Sequence, residues 1–74
     1  PIAVSVTKNG TFYINKRKIN ERDLEREILK SVGANKKRSI LIRGDKKVDY
    51  EKVVKIIDIA RRNKLKMGLA TVGK

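Results

Sequence analysis

The sequence predicts an α+β fold: a single mixed β-sheet with two α-helices packed on one face, in the order ββαβαβ. Three observations carry this expectation. Apolar residues recur at helical spacing in two segments, around Leu24–Val32 and Val53–Ala60. The first residues alternate apolar with polar or small, and the chain then turns back at Lys8-Asn9-Gly10, whose Asn-Gly pair is a strong hairpin signal. From Ser39 to Thr71 the chain reads strand, loop, helix, turn, strand, close enough together to form a right-handed βαβ unit with parallel strands. One sheet with both helices on the same face buries each apolar stripe once.

The elements follow in order. Ile2, Val4 and Val6 alternate with Ala3, Ser5 and Thr7, the pattern of a half-buried strand. Thr11–Ile14, rich in β-branched and aromatic residues, returns antiparallel to it. Asn15-Lys16-Arg17-Lys18 reads as a second turn, because three adjacent cations belong in water. Ile19 reads either as a one-residue return strand or as a staple for the helix that follows. That helix is placed near residues 21–32, with Asn20 as its N-cap and Asp23 as a weak capping-box partner. Glu21 and Asp23 suit the positive end of its dipole. Leu24, Ile28 and Val32 form its buried stripe, while Glu21, Arg22, Glu25 and Arg26 face water. Gly33 is the expected left-handed stop, and Ala34–Arg38 a basic loop.

Ile40-Leu41-Ile42 is a short apolar run without alternation, so it reads as the central strand, buried on both faces. Arg43–Lys47 is a polar loop. A second helix is placed near residues 50–62, capped by Asp49, with Val48 and Val53 at the spacing of a hydrophobic staple. Val53, Val54, Ile57 and Ala60 supply its apolar stripe, widened by Ile56. Asn63 tolerates the left-handed conformation that ends a helix. Met67–Val72 is the last strand and Gly73-Lys74 a frayed tail. The expected core is Leu24, Ile28, Ile40, Ile42, Val53, Ile57 and Leu69.

Composition narrows the chemistry. Seventy-four residues allow one domain, whose core is modest and aliphatic, since only Phe12, Tyr13 and Tyr50 are aromatic. Without Cys or His there are no disulfides, no thiol or imidazole catalysis and none of the common zinc sites. Ser5, Ser31 and Ser39 therefore lack an activating base. Asp45 and Asp49, four residues apart, have the spacing of an acid–base pair, but a cap and a loop turn account for them better. They also make a poor calcium site. Gly44 stands alone, outside any phosphate-loop pattern, and Arg43-Gly44-Asp45 is too short a match to an adhesion tripeptide to count. Asp58 reads as a surface ion pair with Arg61 or Arg62. No enzyme activity, cofactor or metal is expected. The longest apolar run is far short of the ~18 residues that span a membrane.

Twenty Lys and Arg against eight acids give a formal charge of +12. Such a charge draws anionic partners: nucleic acid, anionic lipid or cell-wall polymer. It also fits a solvated, Lys-rich surface. The clusters Lys16-Arg17-Lys18, Lys36-Lys37-Arg38, Lys46-Lys47 and Arg61-Arg62-x-Lys64-x-Lys66 are spread along the chain. Phe12 and Tyr13 are adjacent, so at most one of them serves a given sheet face for base stacking.

Arg43-x-Asp45-x-x-Val48-x-Tyr50, then Asp58-x-Ala60-Arg61, then Gly68-Leu69-Ala70-Thr71, resembles the ExbD/TolR family. The order and spacing of these motifs cover about half the chain; the first half fits by pattern alone. In that family a strand ends in a similar Arg-x-Asp loop and leads into a Val-x-Tyr helix start, and the domain finishes on a Gly-Leu strand. Where relatives place Ala-Gly after the second helix, this chain has Asn63-Lys64. The resemblance implies the periplasmic domain of a proton-motive-force-driven inner-membrane motor subunit, anchored by a transmembrane helix upstream of Pro1. It implies work beside an ExbB/TolQ-type membrane subunit, as a homodimer, to pass energy to a TonB/TolA-type protein. Gly68, Leu69, Ala70 and Thr71 are then the candidate coupling residues. Arg43, Asp45, Val48, Asp49 and Tyr50 form a motif of structural character. Leu69 has a plainer reading as a core residue, and Gly68 as a bulge. The alternative is a small basic nucleic-acid-binding domain.

Overall fold

The computed structural model describes residues 2–33 and 39–72. The expectations for Ala34–Arg38 and Gly73-Lys74 lie outside the described residues. The strands are β1 (Ile2–Val6), β2 (Phe12–Ile14), β3 (Arg17–Ile19), β4 (Ser39–Asp45) and β5 (Lys66–Val72). The helices are α1 (Leu24–Val32), entered through a 3₁₀ turn at Glu21–Asp23, and α2 (Tyr50–Arg62). The strands form one mixed sheet in the order β3-β2-β1-β4-β5. β1–β2 and β2–β3 are antiparallel, while β1–β4 and β4–β5 are parallel.

The topology puts both helices on one face. The chain steps from β1 to β4, then from β4 to β5, in the same direction across the sheet. Two right-handed crossovers in the same direction must lie on the same side. Burial agrees, since Val4, Val6, Phe12, Ile14, Ile19, Ile40 and Ile42 are buried and all belong to one side of the pleat. α1 adds Leu24, Ile28 and Val32 above β1 and β2; α2 adds Val53, Ile56, Ile59 and Ala60 above β4 and β5.

Four features of the strands differ from the sequence reading. β3 is a real strand, because its cations project from a short edge while Ile19 alone reaches the core at 5% exposure. The second turn is therefore only Asn15-Lys16, with Asn15 at φ +55° and its Oδ1 accepting from the Ala3 amide at 3.2 Å. β4 runs on through Arg43-Gly44-Asp45 and alternates in burial, with Ile40, Ile42 and Gly44 inward and Leu41 half-buried on the other side. It is an interior strand covered on one face; the middle position belongs to β1. The first hairpin, by contrast, turns where expected, through the three residues Lys8-Asn9-Gly10. Gly10 stands at φ +84° and its amide donates to the Thr7 carbonyl.

The helices differ from expectation at their ends and in one stripe. Neither Asn20 nor Asp23 makes a side-chain cap; Asp23 instead pairs with Arg26 at 3.1 Å. Gly33 ends α1 with φ +58° and ψ −140°, a region open in practice to glycine alone. α2 starts as expected, with the Asp49 carboxylate accepting from the Glu51 amide at 3.0 Å. Its buried side is Val53, Ile56, Ile59 and Ala60, which leaves Val54 and Ile57 only half-buried. A helix buries one side of roughly 100–140°, and the connection from β4 fixes which side that is. The stop after α2 lies one residue later than Asn63. Lys64 carries the positive φ of +56°, and its amide donates to Arg61 while the Leu65 amide reaches back to Ala60 at 2.8 Å. That is a Schellman motif, closed by Leu65 at 6% exposure.

Candidate functional site

The two sheet edges are unlike. β3 is three residues long and carries Arg17 and Lys18, charges that discourage another strand from pairing. β5 is seven residues long and holds one charge, Lys66. It pairs with β4 along its whole length without a skipped residue, and among the described residues no strand pairs with its other side. Gly68 is in regular register with Leu41, so it is no bulge; a Cβ there would stand 3.4 Å from Leu41 Cδ1.

Leu69 lies beside Ile42, on the helix-covered face, yet is 69% exposed. The expected core role fails because β5 is the outermost strand and α2 reaches only partly over it. Met67, beside Ile40, is 41% exposed for the same reason.

The motif after β4 shapes the neighbouring wall. Asp45 Oδ1 accepts from the Lys47 amide at 2.9 Å, and the Val48 amide donates to the Asp45 carbonyl, so Asp45 turns the chain into α2. Gly44 is buried beneath this turn. A Cβ there would sit 3.3 Å from Val48 Cγ1 and 3.5 Å from Val53 Cγ2, so the close seating of the Val48–Val53 staple depends on a missing side chain. Gly44, Asp45, Lys46, Val48, Val53, Leu69 and Ala70 together line an open groove of about 320 Å³. The structure thus brings Asp45 and Val48 together with Leu69 and Ala70. Thr71 pairs with Gly44 through the backbone. Arg43 and Gly68 project to the opposite, helix-free face, and Tyr50 stands 72% exposed at the first turn of α2.

Charge is sorted by face. The acids of the α1 region reach across to α2 and β3 instead of facing only water. Glu21 holds Lys55 at 2.8 Å and Lys52 at 3.0 Å, Glu25 holds Arg62 at 2.9 Å, and Glu27 holds Arg17 at 3.0 Å. Lys55 and Lys52 beside Glu21, Arg62 and Asn63 beside Glu25, and Arg17 beside Glu27 hold these carboxyls below their ordinary range. Among the described residues Asp58 makes no ion pair, because Arg62 turns to Glu25. No local sequence signal marks these contacts, whose partners lie 10 to 38 positions apart. The helix-free face carries Lys18, Arg43 and Lys66 with a single aromatic, Tyr13.

The fold and its edges define a small α+β domain with one short edge guarded by cations and one long edge left open. The family model described as biopolymer transport protein ExbD/TolR matches residues 1–73. The chain belongs to that family, and its role lies in biopolymer transport. No curated protein matches it. Among the described residues no helix is long and apolar enough to cross a membrane.

Proposed function

We propose that the chain is the periplasmic domain of an ExbD-like motor subunit, held at the inner membrane by a transmembrane helix that precedes the domain. It works beside an ExbB/TolQ-type membrane subunit that conducts protons. It relays the energy of the proton gradient to a TonB/TolA-type protein by accepting an extended segment of that partner on β5. Gly68, Leu69, Ala70 and Thr71 are the coupling residues. The ExbD branch is favoured by Arg43-x-Asp45 and Leu69-Ala70-Thr71. Relay is non-catalytic, and the domain takes no cofactor.

The observation that carries the proposal is an apolar side chain, Leu69, 69% exposed on an unpaired edge. An open edge offers main-chain bonds for affinity and alternate side-chain positions for specificity. Two copies pair weakly, by a surface that leaves β5 to the partner; at +12 each they repel, so added salt strengthens pairing. Lys18, Arg43 and Lys66 on the helix-free face make a weak contact with anionic cell wall or lipid. A single aromatic on that face argues against an RNA-stacking platform.

The test is a titration with a labelled peptide from the periplasmic stretch of a TonB-type protein, followed by backbone amide shifts. Leu69→Ala should keep its melting midpoint and lose the peptide. Shifts confined to the Lys-rich loops, with Met67–Val72 unmoved, would defeat strand addition.

A further inference from the structure

We infer that the outer side of α2 is a pre-built seat for a sixth strand, and that the strand it fits alternates apolar with acidic residues. The inference deepens the β5 reading and rests on it. α2 carries more apolar surface than the sheet beneath it covers. At 100° per residue, Lys52, Lys55, Ile59 and Arg62 point toward α1, where Lys52 and Lys55 meet Glu21 and Arg62 meets Glu25. Val53, Ile56 and Ala60 point down into the core. Tyr50, Val54 and Ile57 are the apolar residues on the side away from α1, beyond β5, with the exposed Arg61 among them. Tyr50 is exposed and Val54 and Ile57 are half-buried, above a strand whose own Met67 and Leu69 are exposed. All five apolar side chains surround the position next to β5 where the sheet stops.

That position has a defined geometry. A strand hydrogen-bonded to β5 would lie about 4.8 Å farther out. Every second side chain would turn toward α2 and cover Val54 and Ile57, flanked by Met67 and Leu69. The alternate side chains would turn to the helix-free face beside Lys66. Apolar residues suit the first set and carboxylates the second. Charge also selects the occupant. A second copy would set +12 against +12, whereas an acidic segment is drawn in.

The test uses two seven-residue peptides, matched in length to β5 and identical in composition. One alternates Val and Glu; the other groups its Val and its Glu into blocks. The alternating peptide should shift the Lys66–Val72 amides together with the methyl groups of Val54 and Ile57. It should bind about tenfold tighter than the blocked one, a difference of about 1.4 kcal/mol. Val54→Thr and Ile57→Thr should erase most of that preference. The methyl shifts of the unaltered chain keep the proposal testable if Ile57→Thr melts early. Shifted β5 amides with unmoved Val54 and Ile57 methyls would overturn the α2 seat and leave strand addition standing. Unmoved β5 amides would end both. Sedimentation showing a dimer that protects β5 would also overturn the seat's proposed occupant, in favour of a second copy.

Discussion

Lys64→Gly should stabilise the domain, and the amount follows from the turn after α2. Lys64 sits at φ +56°, where a Cβ crowds the carbonyl and costs about 1–2 kcal/mol. Glycine removes that cost but gives back about 0.5–1 kcal/mol through its freedom in the unfolded chain. The net gain is about 0.5–1 kcal/mol, or about 2–8 °C in Tm for a domain of this size. The turn has no easy way to relax the strain, because the Leu65 amide is bonded to Ala60 at 2.8 Å and Leu65 itself is buried. Lys64→Ala is the control: it removes the same charge from a +12 chain but keeps the Cβ, so it should leave stability near that of the unaltered chain. Asn15 has a similar φ of +55°, but its side chain accepts from the Ala3 amide, so Asn15→Gly should gain less. Urea melts of the three variants measure the differences. Equal midpoints for Lys64→Gly and Lys64→Ala would refute the backbone argument and leave charge as the cause.

Ile56→Ala should cost ~2–5 kcal/mol, since Ile56 is wholly buried. Ile57→Ala, half-buried beside it, should cost about 1 kcal/mol; the reverse ranking in denaturant melts would mean that α2 is rotated about its axis. Asp49→Ala should cost ~0.5–2 kcal/mol through loss of the bond from the Glu51 amide, and a melt unchanged from the parent would show that the cap contributes nothing. The carboxyls of Glu21, Glu25 and Glu27 are held below their ordinary 4.5 in the folded state. Their contribution is therefore present above that value and is lost as pH falls through the lowered folded values. Urea midpoints followed from about pH 6 to pH 3 should decline in the acid limb, and Glu21→Gln with Glu25→Gln should flatten that decline.

Local signals reached the elements whose cause is local. Asp49 and the Val48–Val53 staple mark the start of α2, Gly10 marks the first hairpin, and Leu24, Ile28 and Val32 mark the buried stripe of α1. Features set at long range were beyond them. Ile56 and Ile57 are both apolar, and only the seat of α2 on β4 and β5 decides which one is buried. Leu69 looks like a core residue until the strand order places it at an edge. Arg17 and Lys18 look like turn residues because an exposed edge strand tolerates the same charges a turn does. Of the candidate site, Gly68 to Thr71 were visible as a strand, while the groove joining Leu69 and Ala70 to Asp45 and Val48 needed the register of β4 and β5.

The parallel run of β1, β4 and β5 has a mechanical consequence. β1 enters the sheet at Ile2 and β5 leaves it at Val72, and both flank β4 and point the same way. Tension between those two ends therefore drags β1 and β5 in opposite directions along the strand axis. The load falls on the two ladders in shear, so many backbone bonds must yield at once instead of opening one by one from an end. A pull between Ile2 and Asn15, whose amide donates to the neighbouring Ala3 carbonyl, instead acts on the two adjacent ends of the β1–β2 hairpin, which can unzip one bond at a time. Force spectroscopy with handles at those two pairs of sites should find the first direction the stronger. The domain would then stiffen along the line joining its middle strand to its open edge, and yield where its first hairpin is pulled apart from its open end.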